Sequence, residues 1–273
     1  MGMRSKDQWI ERSKAWTKTV APGISADDTF NKMIIAEAGI RPGEKLLDLA
    51  SGTGNPAISI AHSMNGTGEV FCTDLTEKML QSARQRAENL DLDIVKFIAA
   101  DMASLPFTDN EFDAITCRFG AMFSEDKVSV SLESHRALKK GGRAAYIVWG
   151  SYDENPPFHI PRRAVYSYLG IEEGPTPKRH SMSAPGDLEQ MLTRGNFSRV
   201  EERELRYKNS IEDIRDYVTR NLNRSFSKET ANMTAADFED LRQAVIKAWK
   251  PFIKDGVLLV PNYARLGLGW KTS

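Results

Sequence analysis

The sequence predicts an α/β protein with a Rossmann-like, doubly wound, mostly parallel seven-stranded sheet. Three observations lead to this fold class: short apolar runs alternate with helical patterns between 45 and 149, these runs are apolar on both faces, and a glycine-rich turn follows the first of them. Strands that are buried on both faces and separated by helices are typical of parallel sheets. We also expect an antiparallel last strand and a helical insertion that acts as a lid.

Five short segments rich in strand-forming residues are the predicted strands of the central region. They span 45–49, 69–73, 94–98, 112–117 and 144–149. A helix is predicted after Thr76, its expected cap, from apolar residues at helical spacing. These apolar residues are Met79, Leu80, Ala83, Ala87 and Leu90.

A second helix is predicted between the fourth and fifth strands. Its expected buried face is formed by residues that recur every three or four positions, and Gly141-Gly142 is expected to end it in a left-handed turn. The residues of this face are Val128, Leu132, His135 and Leu138.

The chain beyond the fifth strand contains more prolines and polar residues. We interpret Asn155-Pro156-Pro157 as part of a loop before a short helix near 163–169, and 199–208 as a polar edge strand. Two capping boxes, Ser210 with Asp213 and Thr234 with Asp237, predict two helices. The last strand, 262–270, is expected to bury one face, which consists of Ala264, Leu266, Leu268 and Trp270.

No low-complexity linker divides the chain, so we expect one domain over 1–273. Within it, 1–44 is the expected N-terminal helical lid and 45–150 the ligand-binding core. Residues 151–273 are expected to supply the substrate-side loops, the helical insertion at about 210–255 and the last strand. The lid and the insertion together are expected to determine which substrate is accepted, because the ligand lies beyond the carboxyl ends of the strands.

Composition limits the class of protein and its partners. Lys plus Arg and Asp plus Glu both number 37, so no overall field attracts nucleic acid or an anionic membrane. Cys72 and Cys117 lie in apolar runs and are expected to be buried and unpaired. The four histidines lack metal-ligand spacing, so no metal is expected. The amino terminus lacks an apolar signal region, which predicts a cytoplasmic protein with no membrane partner. The oligomeric state is left open.

The sequence Asp48-Leu49-Ala50-Ser51-Gly52-Thr53-Gly54 follows the first strand and forms the predicted binding loop. Glycines in such a turn let a ligand approach the backbone closely. Asp74 ends the second strand, where a carboxylate can accept the hydroxyl groups of a ribose. Asp101-Met102 follows the third strand, where the carboxylate can accept an adenine amine while the methionine flanks the ring.

These segments resemble the class I S-adenosylmethionine-dependent methyltransferases, in particular the ubiquinone/menaquinone C-methyltransferase-like group. The resemblance covers about 30–150 and includes Leu105-Pro106-Phe107 and Leu138-Lys139-Lys140-Gly141-Gly142-Arg143. It implies S-adenosyl-L-methionine as cofactor and S-adenosyl-L-homocysteine as product. It also implies a site that holds three parts of the cofactor: the methionine part, the ribose and the adenine.

The resemblance assigns roles residue by residue. Gly52 and Gly54 would line the methionine part, Asp74 the ribose, Asp101 and Met102 the adenine, and Arg118-Phe119 the amino-acid group and the substrate. The whole predicted cofactor set is Asp48, Ala50, Ser51, Gly52, Gly54, Asp74, Leu75, Met79, Asp101, Met102, Arg118 and Phe119. The family has glycine where this chain has Ala50, and a methyl group there is tolerated if that residue keeps a negative φ.

The substrate-side candidates are Trp16 on the N-terminal lid, Phe123 after the fourth strand, and His159 in the loop after the fifth strand. His159 is a candidate general base, and the catalytic residues otherwise remain unassigned. Methyl transfer from a sulfonium needs no metal, since proximity and desolvation can supply much of the catalysis. The expected reaction is therefore methyl transfer to a small-molecule acceptor by in-line displacement.

Three alternatives stay open at this point. An NAD-dependent oxidoreductase would also carry Gly52-x-Gly54-x-x-Ala57 followed by Asp74, but no tyrosine here has a lysine four residues later. A nucleic-acid amino-methyltransferase would use an Asn-Pro-Pro-aromatic motif, but Asn155-Pro156-Pro157-Phe158 follows the fifth strand instead of the fourth. A protein that binds S-adenosylmethionine without catalysis is the third alternative.

Overall fold

The computed structural model describes residues 28–272. Helices and strands alternate through the first half of this range, as the sequence predicts. The helices are α1 (Thr29–Glu37), α2 (Ala57–Ser63), α3 (Glu77–Glu88), α4 (Lys127–Ala137), α5 (Pro156–Leu169), α6 (Asp187–Arg194), α7 (Ile214–Ser225) and α8 (Ala235–Ala248). The strands are β1 (Lys45–Leu49), β2 (Glu69–Asp74), β3 (Val95–Ala99), β4 (Phe112–Arg118), β5 (Leu138–Trp149), β6 (Arg199–Ile211), β7 (Ile253–Lys254) and β8 (Val257–Trp270).

The strands form one sheet in the order β3-β2-β1-β4-β5-β8-β6, and the short β7 pairs with β8. The first five strands pair in parallel, whereas β7 and β8 are antiparallel. The predicted fold class is therefore confirmed. The chain moves outward from β1 in one direction through β2 and β3, and in the other through β4 and β5. This reversal at β1 and β4 is the place where open α/β sheets bind ligands.

The described residues group into two compact units. Unit 1 contains 28–148, 184–203 and 265–272, and unit 2 contains 149–183 and 204–264. The division into a lid, a core and a substrate-side region remains a prediction.

The core of unit 1 lies between the parallel sheet and the helices α2 and α3. Its strand residues, such as Leu46, Val70 and Cys72, pack with helix residues such as Ile60 and Leu80, and all five are buried. Cys72 and Cys117 are buried and free, as expected. Burial raises the pKa of the Cys117 thiol to about 12, so the thiol stays protonated at neutral pH.

Unit 2 has a separate core formed by α5, α7 and α8 with β8. The buried side chains of Leu241, Val245 and Trp249 on and just after α8 meet Val218 and Leu222 of α7. The predicted capping box of α8 is confirmed, because the Thr234 hydroxyl accepts from the Asp237 N–H and the Asp237 carboxylate accepts from the Thr234 N–H. The other box is wrong: α7 starts at Ile214, and its cap is the Asp213 carboxylate, which accepts from the Asp216 N–H at 2.8 Å.

The buried face of α4 differs from the predicted one. Val130, Ser131 and Ser134 are buried, whereas Leu132 is 38% exposed. The serines fit because the neighbouring surfaces are close: a Cβ at Gly195 would lie 1.9 Å from Ser131 Oγ. Ser134 Oγ lies 2.6 Å from the hydroxyl of buried Tyr146. Close approach and internal hydrogen bonds therefore decide this face, and hydrophobic spacing does not.

The end of α4 also lies earlier in the sequence than the glycine pair predicts. The helix ends at Ala137, since Leu138 is extended and begins β5, where it pairs with Phe112. Gly141 has a φ of 81° inside β5, next to a shift in the pairing register with β4. The glycine pair therefore accommodates an irregularity of the strand instead of ending the helix.

The proline-rich segment forms the start of α5 and not the loop that its composition predicts. Pro156 and Pro157 occupy the first turn, where a helix needs no backbone N–H donors. Pro161 lies inside the same helix, which runs on to Leu169.

In β8, residues of both faces are buried, including Tyr263 and Arg265, so the predicted one-sided pattern is incomplete.

Candidate functional site

The predicted binding residues of unit 1 meet at the carboxyl ends of four neighbouring strands. In the sheet register, Asp48 of β1 lies opposite Cys72 of β2 and Thr116 of β4, and Asp74 lies opposite Ala99 of β3. The backbone N–H of Ala100 also donates to the Asp74 carbonyl at 2.9 Å. The parallel pairing thus brings the three acidic positions to one edge of the sheet.

The loop after β1 is a tight turn that β2 holds in place. The Ser51 N–H donates to the Thr73 carbonyl at 2.8 Å, and the Gly54 N–H donates to the Ser51 carbonyl at 2.9 Å. Ser51 Oγ donates to the Asp48 carbonyl at 2.9 Å and accepts from the Thr73 N–H at 3.2 Å. The buried serine therefore joins the loop to both strands.

The glycines of this loop have different roles. Gly52 has a φ of 57°, and a Cβ added to it would meet nothing within 4 Å, so one side of the loop faces open space. Gly54 has a φ of 101°, and a Cβ there would lie 2.6 Å from Ile58 Cδ1. The first glycine lets a ligand approach the backbone, and the second lets the loop pack against α2.

Ala50 does not keep the negative φ that we expected. Its φ is 51°, which places an alanine in the left-handed region. Its methyl group leaves no room opposite, because a Cβ added to Gly120 would lie 2.5 Å from Ala50 Cβ. A non-glycine residue in this region costs about 1–2 kcal/mol, so the loop is locally strained.

Asp74 connects the ends of β1 and β2. Its Oδ2 accepts from the Gly52 N–H at 3.0 Å, and its Oδ1 accepts from the Thr76 N–H at 2.9 Å and from the Thr76 hydroxyl at 3.0 Å. The Thr76 hydroxyl is therefore not used to cap α3, contrary to prediction. A carboxylate offers about four acceptor positions, more than the three hydrogen bonds that Asp74 accepts from Gly52 and Thr76. Burial raises the pKa of Asp74, and the Thr76 and Gly52 hydrogen bonds oppose that shift.

Asp48 is fully buried within β1. Its Oδ1 accepts from the Thr116 hydroxyl at 2.6 Å, whereas Oδ2 has no hydrogen-bond partner in the part of the chain that the structure describes. Burial raises the pKa of this carboxyl to about 6, although Ser51, Thr116 and the charge of Arg118 all oppose the shift. The site therefore contains a buried carboxyl group that titrates just below neutral pH.

The adenine-side candidates are less enclosed. Asp101 is exposed, and its Oδ1 accepts from the Ala103 N–H at 2.9 Å, while Met102 is half-buried. Leu75 is half-buried directly after β2, and Met79 is buried in the first turn of α3. These four residues follow the ends of β2 and β3, as the sequence predicts. Their roles in binding remain predictions.

Arg118 and Phe119 end β4 and turn the chain sharply. Phe119 has a φ of 58°, and its N–H donates to the Ile147 carbonyl of β5 at 2.7 Å. Arg118 Nη1 donates to Asp28 Oδ2 at 2.6 Å. The Phe119 ring meets the edge of the Phe30 ring, with centroids 5.0 Å apart. This corner of the site is thus built from β4 and α1.

Sequence reasoning missed a set of polar residues around the loop. Arg86 of α3 is buried, and its Nη1 donates to the Thr53 carbonyl at 2.6 Å. Asn31 of α1 donates to Ser59 Oγ at 2.8 Å. Burial lowers the pKa of Arg86, and the nearby charge of Arg118 lowers it further. A signal was available for Arg86 alone: a cation within the otherwise apolar face of a helix.

The substrate-side candidates are not all described. Trp16 lies outside the described residues. Phe123 is half-buried in a single turn of 3-10 helix, Ala121–Phe123, and belongs to unit 1. His159 belongs to unit 2 and lies in α5 instead of a loop, which corrects the prediction.

The surroundings of His159 are aromatic. Its ring lies against the ring of Tyr152, with centroids 5.9 Å apart, and within residues 28–272 neither ring nitrogen has a hydrogen-bond partner. Burial lowers the pKa of His159, and the charge of Arg163 lowers it further. The imidazole is therefore neutral at pH 7 and chemically able to accept a proton, while its role as a base remains a prediction.

The side-chain amide of Asn155 makes three hydrogen bonds within unit 2. Its Nδ2 donates to the Ser151 and Tyr263 carbonyls at 2.9 Å each, and its Oδ1 accepts from the Tyr263 N–H at 3.0 Å. Both amide hydrogens are thus engaged with the backbone. This arrangement supports a structural role for the Asn-Pro-Pro-Phe segment.

Metal-binding clusters and membrane-spanning helices are absent from residues 28–272. Across residues 28–272, His, Cys, Asp and Glu side chains do not form a group of three or more that could hold a metal ion. No helix within this range has both the length and the apolar character needed to cross a membrane.

The site fits an adenosine-containing cofactor that also carries an amino-acid group. Gly52 leaves open space beside the loop, Asp74 offers a carboxylate, and Arg118 offers a cation. The buried Asp48 Oδ2 is an acceptor without a partner among the described residues.

The topology and this acidic strand edge define a Rossmann-like α/β protein of the S-adenosylmethionine-dependent methyltransferase class. A family model described as the ubiE/COQ5 methyltransferase family matches residues 23–169. The chain therefore belongs to the ubiE/COQ5 methyltransferase family.

Individual relatives agree with this assignment. The ubiquinone/menaquinone biosynthesis C-methyltransferase of Cupriavidus necator is 40% identical over 109 residues, which cover 40% of this chain and 44% of that protein. The match thus spans less than half the length of this curated relative.

Among solved structures, the YcgJ protein of Bacillus subtilis has a TM-score of 0.56 and 19% identity, covering 89% of this chain and 98% of its own. The phosphoethanolamine N-methyltransferase 2 of Haemonchus contortus, in complex with S-adenosyl-L-methionine, has a TM-score of 0.57 and 17% identity, covering 98% of this chain and 58% of its own. At these identities the two structures support the fold alone.

Proposed function

We propose that the protein transfers a methyl group from S-adenosylmethionine to a small-molecule acceptor. The observation that carries this proposal is the 3.0 Å hydrogen bond from the Gly52 N–H to Asp74. It joins the glycine-rich turn after β1 to the acidic end of β2, in a member of a methyltransferase family. The glycine-rich turn and the acidic strand end therefore lie in one site, where a single nucleoside can contact both.

The chain's own residues would divide the cofactor among them. Asp74 would accept a ribose hydroxyl, Asp101 and Met102 would hold the adenine, and Gly52 with Arg118 would hold the methionine part. When bound, S-adenosylmethionine supplies a methyl group on a positively charged sulfonium. Phe119 is half-buried at the end of β4, and an aromatic face near a desolvated cation contributes ~1–2 kcal/mol.

The reaction class is in-line displacement, for which the chain must orient the acceptor and exclude water. Phe123 is a candidate for the acceptor side because it lies four residues beyond Phe119 and is half-buried. His159 remains a candidate base, and it is needed only if the acceptor is a weakly acidic hydroxyl or carbon. No metal is required by this chemistry.

The proposal is tested first by binding. Calorimetry should show saturable binding of S-adenosylhomocysteine and none of NAD. The variant Asp74→Ala should bind more weakly, whereas Asp93→Ala, a change at an exposed aspartate before β3, should bind like the parent. Binding of NAD without S-adenosylhomocysteine would point to an oxidoreductase instead.

Turnover is tested with a panel of acceptors and labelled S-adenosylmethionine. Formation of S-adenosylhomocysteine that depends on one class of small molecule supports the enzyme. Incorporation into bulk RNA or DNA at low salt would instead favour a nucleic-acid methyltransferase. Binding without turnover on any acceptor would leave a cofactor-binding protein.

A further inference from the structure

We propose that Asp28 is a positioning residue, which holds the Arg118 guanidinium so that its buried Nε–H receives the carboxylate of the cofactor's methionine part. This inference rests on the proposed function. It concerns the residue that leads into α1, which the sequence motifs do not include.

Asp28 is itself fixed on two sides. Its Oδ1 accepts from the Asn31 N–H at 3.2 Å and so caps the start of α1. Its Oδ2 accepts from Arg118 Nη1 at 2.6 Å. The two side chains are only 19% and 14% exposed, so water screens this ion pair weakly. Asp28 therefore ties the Arg118 side chain to the end of a helix.

One edge of the guanidinium remains available. Arg118 Nε is buried and has no hydrogen-bond partner in the chain from residue 28 to residue 272. In an arginine, Nη1 lies on the edge opposite the Nε hydrogen, so the bond to Asp28 does not use the edge that carries the buried Nε–H. A carboxylate binds a guanidinium edge through two parallel hydrogen bonds. A buried N–H without a partner is costly, so a ligand acceptor would be favoured there.

The surroundings limit where this guanidinium can move. Its Cζ lies 5.5 Å from the centroid of the Phe119 ring, which covers one side. Phe119 in turn packs edge-on against Phe30 of α1, directly after the helix start. The aromatic pair and the ion pair therefore both tie Arg118 to α1.

Two cations lie close together in this corner of the site. Two guanidinium groups, those of Arg86 and Arg118, are close enough that Arg118 lowers the pKa of Arg86, after burial itself. The charge of Arg118 also acts on buried Asp48, which has a free acceptor at Oδ2. We therefore expect Asp48 to attract Arg118 more strongly when the charge of Asp28 is removed. Asp28 thus keeps the guanidinium in place for a ligand carboxylate.

The test compares two ligands that differ only in the amino-acid part. S-adenosylhomocysteine carries the carboxylate, and methylthioadenosine lacks it. The variant Asp28→Asn keeps the cap, since asparagine caps helices as well as aspartate does, but removes the charge that holds Arg118. We expect calorimetry to show about a tenfold loss of affinity for S-adenosylhomocysteine, and an affinity for methylthioadenosine within about twofold of the parent.

A matched control variant and a double-mutant cycle separate an effect on the position of Arg118 from an effect on folding. Asp126→Asn changes another capping aspartate of unit 1, which caps α4 through the Ser129 N–H, and should alter neither affinity. In an Arg118→Met background, Asp28→Asn should have no further effect on S-adenosylhomocysteine binding, because the two residues act through one contact. Both variants are compared with the parent at a temperature below their melting transitions, because the loss of a weakly screened ion pair lowers the stability of Asp28→Asn more than that of Asp126→Asn.

Three results would overturn the inference. These are equal losses for both ligands, unchanged or tighter binding of S-adenosylhomocysteine, and additive losses in the double variant. If the parent binds neither ligand, the proposed function fails instead, and the two failures are thereby distinguished.

Discussion

Replacing Asp48 with asparagine should change how stability depends on pH. The carboxyl is fully buried, and its pKa rises from 3.8 to about 6 in the folded protein. Between these two values the folded chain binds more protons than the unfolded chain, so this group's contribution to stability falls as the pH rises. At about 1.36 kcal/mol per pKa unit, the loss amounts to roughly 3 kcal/mol once the pH is above the folded pKa.

Asparagine removes this titration and keeps an oxygen for the 2.6 Å hydrogen bond from Thr116. Urea unfolding at pH 4 and pH 7.5 should therefore show Asp48→Asn gaining about 2–3 kcal/mol relative to the parent as the pH rises. Asp113→Asn is the control of opposite sign. Burial raises the pKa of Asp113, but Lys139 and the Lys45 N–H outweigh burial and lower it overall. A constant difference between Asp48→Asn and the parent across this range would refute the burial argument.

Three other predictions concern single contacts. Asp74→Ala removes the acceptor of the Gly52 N–H and should lower S-adenosylhomocysteine affinity by about 1.5–3 kcal/mol in calorimetry; parental affinity would contradict this role. Ala50→Gly relieves a φ of 51° and should raise the free energy of unfolding in urea by up to about 1 kcal/mol. Ala114→Gly in β4 should lower the free energy of unfolding, and equal effects of the two changes would contradict the strain argument. Asn155→Ala removes the side-chain acceptor of the buried Tyr263 N–H and should cost about 1–3 kcal/mol in urea unfolding; a neutral change would show that water replaces the amide.

The amino-acid sequence was sufficient to predict the parallel strands and the acidic residues at their ends. Runs such as 45–49 and 69–73 are recognisable because burial on both faces imposes a local pattern on the residues of a strand. Parallel pairing then places the ends of neighbouring strands side by side. For this reason the sequence alone assigns Asp74 and the loop containing Gly52 to one site.

The capping boxes show how far local signals extend. Thr234 with Asp237 caps α8, whereas Ser210 remains in β6 and Asp213 caps α7. Both motifs satisfy the same local rule, and the length of the preceding strand decides between them. That length depends on pairing with another strand, which a local motif does not encode.

The arrangements that depend on distant residues were decided by the tertiary structure. Asp28 and Arg118 are 90 residues apart and meet only when α1 packs beside β4. Arg86 reaches the Thr53 carbonyl across 33 residues. Ser131 is buried because Gly195 comes close to it. Such contacts arise from packing at fixed density, where the space left by one element selects the side chain of another, and no periodicity within a single element contains that information.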